Sequence, residues 1–172
     1  MNYTEYSKVS GVTMECLSFI RSHVENGGSV IIYGSAGSGK STLMEVILSE
    51  VSAAKWIGAD RAESDRIADT YSTICSSEQP KVFFLDDVIA APNIKAIENG
   101  PRKLVETLLA NQQAVASMHG SKMIPERIVE AAELYGDGYK SALSALTSNV
   151  LYIRMDEGRI KEAEVLNTRY LI

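Results

Sequence analysis

At 172 residues, 45% of them hydrophobic, the chain is long enough for one domain with a full core. Lys and Arg number 17 against 22 Asp and Glu, and the net charge of -5 argues against a broad electrostatic footprint for nucleic acid, leaving room only for a local basic patch. Cys16 and Cys75 stand alone, without CxxC spacing, the start Met1-Asn2-Tyr3-Thr4-Glu5 does not read as a leader, and no apolar run approaches the roughly 20 residues of a membrane span, so cysteine-held metal is not expected and a cytoplasmic protein is.

Residues 1–9 are polar and read as a loose arm, with residues 1–172 otherwise forming a single domain. From Thr13 to Val24, Cys16, Leu17, Ile20 and Val24 recur at spacings of three and four, the stripe of a helix lying on a core, which Asn26-Gly27-Gly28 ends. Residues 29–33 are β-branched and apolar and predict a strand. A helix over 40–53 follows, with Leu43, Val46, Ile47 and Val51 on one side. Trp56 to Asp60 reads as a short strand and 62–76 as a charged helix. After Pro80, Val82-Phe83-Phe84-Leu85 is a continuous apolar run of the kind buried on both faces of a parallel sheet, and it ends in Asp86-Asp87.

Turn signals at Ala91-Pro92-Asn93 and Asn99-Gly100-Pro101 make 91–101 a loop around at most a short helix. Leu104 to Leu109 is helical, Gln113 to Met118 is a strand ending at His119-Gly120, and Pro125 opens another helix. A last helix spans 139–147. Val150 to Met155, a turn at Asp156-Glu157-Gly158 and alternation through Val165 predict an antiparallel hairpin. The expected fold is α/β, three-layer, with a mostly parallel sheet and a C-terminal β-hairpin.

The strand at 29–33 runs into Gly34-Ser35-Ala36-Gly37-Ser38-Gly39-Lys40-Ser41-Thr42, which fits G-x-x-x-x-G-K-[ST] between a strand and a helix. Phosphate chemistry requires this layout. Glycines let backbone N–H groups turn inward around a β-phosphate, and the new helix points its positive end at the same anion. Lys40 would reach the β- and γ-phosphates, and the Ser41 hydroxyl would sit on Mg²⁺. ATP and Mg²⁺ are therefore the expected ligands, and the expected fold class is a three-layer P-loop NTPase of the RecA or ASCE kind. The alternative is a glycine-rich turn with no ligand.

A second buried strand ending in acid completes such a site, because Mg²⁺ needs a nearby carboxylate and hydrolysis needs a base on the attacking water. Adjacent residues of a strand point to opposite faces, which divides the work: Asp86 to the Mg²⁺ shell, Asp87 to the water. Two solvated acids capping a strand would look the same. Asp60 and Glu63 also follow a strand and could orient water or Mg²⁺; their spacing fits a helix N-cap and its capping-box partner equally well. His119 ends a strand, where it either meets the γ-phosphate or serves structure. Arg61, Arg66, Arg102 and Arg127 are all conceivable γ-phosphate partners, and spacing does not choose among them.

The order of these features resembles the nucleotide-binding domain of the secretion ATPases, which power type IV secretion, conjugation and type IV pilus assembly or retraction. The resemblance runs from about Gly11 to Leu166. It rests on GSAGSGKST, the acidic segment Ala59-Asp60-Arg61-Ala62-Glu63, the strand ending in acid after Pro80, the histidine segment Ala116-Ser117-Met118-His119-Gly120, and Glu126-Arg127-Ile128-Val129 before a hairpin. Family members commonly carry Glu-Asp in the acidic segment, Gly-Glu after the second strand, and a further N-terminal domain; here Ala59-Asp60 and Asp86-Asp87 stand instead. The resemblance implies an ATP- and ADP-binding motor that forms a homo-oligomeric, hexameric ring and meets components of a secretion or DNA-transfer machine, peripheral to the inner membrane through those partners. An initiator or helicase-loader ATPase of the AAA+ group also matches a strand ending in Asp-Asp followed by one carrying Ser117. A P-loop small-molecule kinase and a non-hydrolysing assembly protein remain the rival classes.

Overall fold

The computed structural model describes residues 1–52, 54–58 and 82–166. Among them run α1 (Tyr3–Ser10), α2 (Met14–Glu25), β1 (Ser29–Gly34), α3 (Lys40–Leu48), β2 (Ala54–Ile57), β3 (Val82–Ile89), α4 (Gly100–Leu109), β4 (Gln113–His119), α5 (Pro125–Ala131), α6 (Gly136–Thr147), β5 (Val150–Asp156) and β6 (Arg159–Val165). The strands form one sheet in the order β2-β3-β4-β1-β5-β6. All neighbours pair in parallel except β5 with β6, which form the expected antiparallel hairpin. β4 thus lies between the glycine-loop strand β1 and the acid-bearing strand β3.

β1 is buried at every position, because helices cover both faces of the sheet. Its alternation sorts the core into two halves. Val30 and Ile32 join Leu17 and Ile20 of α2, Leu43 and Ile47 of α3, and Phe84 of β3 on one face. Ile31 and Tyr33 join Leu104 of α4, Ile128 of α5 and Leu146 of α6 on the other. This is a helix, sheet, helix sandwich, the three-layer α/β fold expected from the sequence. Trp56 stacks on Phe84 with ring centroids 6.1 Å apart, tying the short strand β2 to its neighbour.

Several boundaries differ from the sequence-based expectation. The 1–9 segment is not a loose arm: α1 starts on a capping box in which Asn2 Oδ1 accepts from Glu5 N at 2.9 Å and Glu5 Oε2 accepts from Asn2 N at 3.1 Å, and it buries Tyr3 and Tyr6. α3 stops at Leu48, short of residue 53, where Ser49 turns its hydroxyl onto the Val46 carbonyl and the next two N–H groups bond three residues back. β2 begins at Ala54, two residues before Trp56; Ala59 and Asp60 at its expected end lie outside the described residues. β3 continues through both aspartates to Ile89, with a register shift between Leu85 and Ile89. α4 opens at Gly100-Pro101, inside the expected loop, and α6 opens at Gly136, three residues before the expected start.

Candidate functional site

The C-terminal ends of β1, β3 and β4 meet at one edge of the sheet, where Gly34 pairs in register with His119 and the Gly120 N–H donates to the Gly34 carbonyl at 3.2 Å. Ligands of open α/β sheets bind at this edge. From Gly34 the chain turns into the loop and then into α3. A Cβ at Gly34 would lie 2.2 Å from the Met155 carbonyl oxygen and 2.7 Å from Ser38 Oγ, so no side chain fits there. Gly39, at φ +91, takes a left-handed backbone that favours glycine. The crest, Ser35-Ala36-Gly37, is exposed, whereas Ser38 and Lys40 are buried.

Three observations fit this loop to a phosphate chain. α3 begins without any side-chain cap and without an acid in its first turn, so its leading N–H groups are left to an anion. The buried Ser38 Oγ has no hydrogen-bond partner among the described residues. Lys40 Nζ folds back onto the loop, donating to the Gly34 carbonyl at 3.2 Å and the Ser35 carbonyl at 2.7 Å. Burial lowers the Lys40 pKa, opposed by the charges of Asp87 and Asp86. Among the described residues, the charges of Asp87 and Asp86 do not offset its desolvation, and an anion on the loop would add to them.

Across the sheet edge, the exposed Ser41 hydroxyl donates to Asp86 Oδ1 at 3.2 Å, bringing the loop and the acid strand together. A hydroxyl beside a carboxylate is a donor set suited to Mg²⁺, which keeps several waters and takes one or two protein oxygens plus phosphates. No group of three or more His, Cys, Asp or Glu gathers among the described residues, so a cation held wholly by such side chains has no place there.

Asp86 and Asp87 stand in the last part of β3, where the pairing with β4 shifts register. Asp87 has φ +52, a left-handed conformation inside the irregular end of β3, and both carboxylates act electrostatically on Lys40. A left-handed residue at an irregular strand end departs from regular pleating. Asp87 has a raised pKa, from burial first and then from the Asp86 charge, with Lys40 and His119 pulling the other way.

His119 contributes to that field, and its buried Nδ1 has no partner among the described residues. Arg102 and Arg127 both donate to main-chain carbonyls, Ala132 at 3.3 Å and Lys122 at 2.8 Å. Asp60, Glu63, Arg61 and Arg66 lie outside the described residues. Sequence reasoning gave two participants no role at the site. Ser117, wholly buried, joins Asp86 and the Asp87 amide; a lone hydroxyl within the apolar run Ala114 to Met118 was the available signal. Gly158, at the tip of the hairpin, donates its N–H to the Ser38 carbonyl at 3.1 Å, a contact from far along the chain that no local pattern announces.

The family described as novel STAND NTPase 3 matches residues 12–122, a span that holds the glycine loop, both aspartates and His119. The chain belongs to this NTPase family. Among solved structures, this family member is similar to the VirB11 ATPase of the Brucella suis type IV secretion system in complex with sulphate. The TM-score is 0.57 at 17% identity, over 92% of this chain and 55% of that one. That likeness is one of fold, and the chain spans little more than half the VirB11 length. The DnaC helicase loader aligns with a TM-score of 0.46 at 13% identity, over 83% of this chain and 89% of its own. The flagellar accessory protein FlaH of Methanocaldococcus jannaschii gives 0.38 at 12%, over 82% and 78%. No curated protein sequence matches this NTPase. No described helix is long and apolar enough to cross a membrane.

Proposed function

We propose that this NTPase binds ATP with Mg²⁺ and hydrolyses it to ADP and phosphate, working as an oligomer. The observation that carries the reading is the hydrogen bond from Ser41 to Asp86 beside the buried Lys40, which puts the loop and the acid strand into one site. Backbone N–H groups of the loop and Lys40 hold the phosphates. Ser41 and Asp86 hold Mg²⁺, which supplies neutralisation of charge on the β- and γ-phosphates. Asp87, with its raised pKa and its place beside Lys40, accepts a proton from the attacking water or orients it. The unpartnered His119 Nδ1 offers a hydrogen bond at the same edge, and Asp60 and Glu63 remain candidates for water or metal.

At a finer grain we assign the chain to a motor of the secretion type, supported by the sequence order of acidic segment, acid-ended strand and histidine segment. Phosphate release from Mg²⁺-ATP, measured with and without acceptor nucleosides, tests the chemistry. Release should need no acceptor. Lys40→Ala should bring it to background while circular dichroism stays native, because the ammonium acts on charge that develops on the transferred phosphoryl group. Turnover unchanged by that substitution removes the reading, and release only in the presence of an acceptor makes the protein a kinase.

A further inference from the structure

We propose that Ser117 is a positioning residue that sets both aspartates with one hydroxyl; the inference deepens the ATPase reading and rests on it. Ser117 has no exposed surface and sits two residues before the end of β4, the strand wedged between β1 and β3. Its Oγ donates to Asp86 Oδ1 and accepts from the Asp87 backbone N–H at 2.9 Å. A serine hydroxyl has a single proton, and here it is committed to Asp86, which leaves the oxygen lone pairs for Asp87.

Each end of this bridge does a separate task. Asp86 Oδ1 has two hydroxyl donors, the exposed Ser41 and the buried Ser117. Ser41 lies on the side where ligands enter, whereas Ser117 holds the carboxylate from behind. At the other end, Asp87 occupies a left-handed conformation at φ +52, one that aspartate adopts more readily than most residues and that here is held by main-chain hydrogen bonds on both sides. Ser117 takes its N–H, and the Ile97 N–H donates to its carbonyl at 3.3 Å. The peptide groups on both sides of the Asp87 side chain are therefore pinned. Without the hydroxyl, the Asp87 N–H and one Asp86 carboxylate oxygen lose a partner together, and the left-handed backbone at Asp87 loses one of the main-chain hydrogen bonds that hold it.

A merely structural serine would affect stability alone. A positioning serine changes turnover in molecules that remain folded, and it changes a signal that has nothing to do with activity, the exchange of the Asp87 amide hydrogen. The experiment compares wild type with Ser117→Ala, Ser117→Cys and Ser117→Thr, using amide exchange by NMR and steady-state kinetics at several Mg²⁺ concentrations. In Ser117→Ala the Asp87 amide should exchange several-fold faster. Its kcat should fall about 10–100-fold, as when an outer partner of a metal-shell ligand is removed, while KM for ATP changes little. Ser117→Thr keeps the hydroxyl and should restore slow exchange and most of kcat; Ser117→Cys keeps the size with a weak donor and should fall between.

Wild-type exchange at Asp87 in the alanine variant, or unchanged kcat per folded molecule beside a lowered melting temperature, overturns the inference. If the wild type releases no phosphate from ATP, the hydrolysis reading fails by itself. The inference is then judged on binding of a non-hydrolysable ATP analogue. Wild type should bind it more tightly with Mg²⁺ and Ser117→Ala should lose that dependence; equal behaviour of the two sinks it.

Discussion

A carboxylate whose pKa is raised in the folded protein holds its proton more tightly there than in the unfolded chain. For Asp87 the native state therefore binds more protons in the window that opens above the ordinary value of 3.8, and stability falls as pH rises through it. Asp87→Asn removes that loss. Asparagine also accepts a left-handed backbone readily, so the kink at φ +52 is kept. The variant should melt higher than wild type at pH 7, and the difference should shrink as pH is lowered toward 4, read by thermal scans at a series of pH values. The same substitution should leave nucleotide binding in place and cut hydrolysis by about 10²–10⁴-fold, the usual worth of a positioned base. Asp86→Asn should differ in kind: it should raise the Mg²⁺ concentration for half-maximal rate and be partly rescued by excess metal. If the two variants exchange behaviours in a Mg²⁺ titration, the roles are reversed.

The elements show which parts of the fold the sequence could announce. β1 was legible because a strand buried on both faces has only apolar, β-branched positions, and the loop after it because glycine and lysine at fixed spacing have one chemical use. α1 was not legible. Its buried side chains are the two tyrosines Tyr3 and Tyr6, one turn apart, too few for an apolar stripe, and its start is set by the reciprocal bonds between Asn2 and Glu5. Asn2→Ala should remove half of that box and destabilise the protein by about 0.5–2 kcal/mol without changing ATP turnover at 25 °C, checked by denaturant unfolding beside an ATPase assay. β3 was legible as a strand ending in two candidate site acids, and the backbone geometry of those acids was not legible. The apolar run located it, but the pairing of Asp86 and Asp87 depends on a left-handed residue held by Ser117 and Ile97, contacts 30 and 10 residues away that arise only on folding. Asp60 and Glu63, outside the described residues, keep the same two readings, ligand or cap, that their spacing allowed.

For the whole molecule, the motor reading makes a demand that hydrolysis does not. A ring motor brings residues of one subunit to the nucleotide of the next, and of the four candidate arginines the two described ones, Arg102 and Arg127, are engaged with main-chain carbonyls. A γ-phosphate partner supplied by a neighbouring copy would meet the need for a cation. Native mass measured with Asp87→Asn, Mg²⁺ and ATP should therefore show an oligomer that loosens when nucleotide is removed. A monomer under all conditions would rule out the motor and leave a single-subunit switch. The VirB11 fold likeness covers 55% of that longer chain, so the ring is tested by this measurement and not by analogy.

The hairpin that ends the described chain bears on how the phosphate loop moves. Glu157 and Gly158 have φ of +48 and +74, the tight two-residue turn that suits the twist of paired strands, and the Gly158 N–H holds the Ser38 carbonyl while its Cα faces the space beside Gly39. The loop is thus strung between two stiff supports, a parallel strand at its start and an antiparallel corner beneath its crest. The Gly158–Ser38 bond joins the hairpin tip to the loop through main-chain atoms. The link is indifferent to the exposed side chains of β6 and sensitive to the length of the turn: one inserted residue would slacken it, whereas a surface charge reversal on Glu162 or Glu164 would leave it taut.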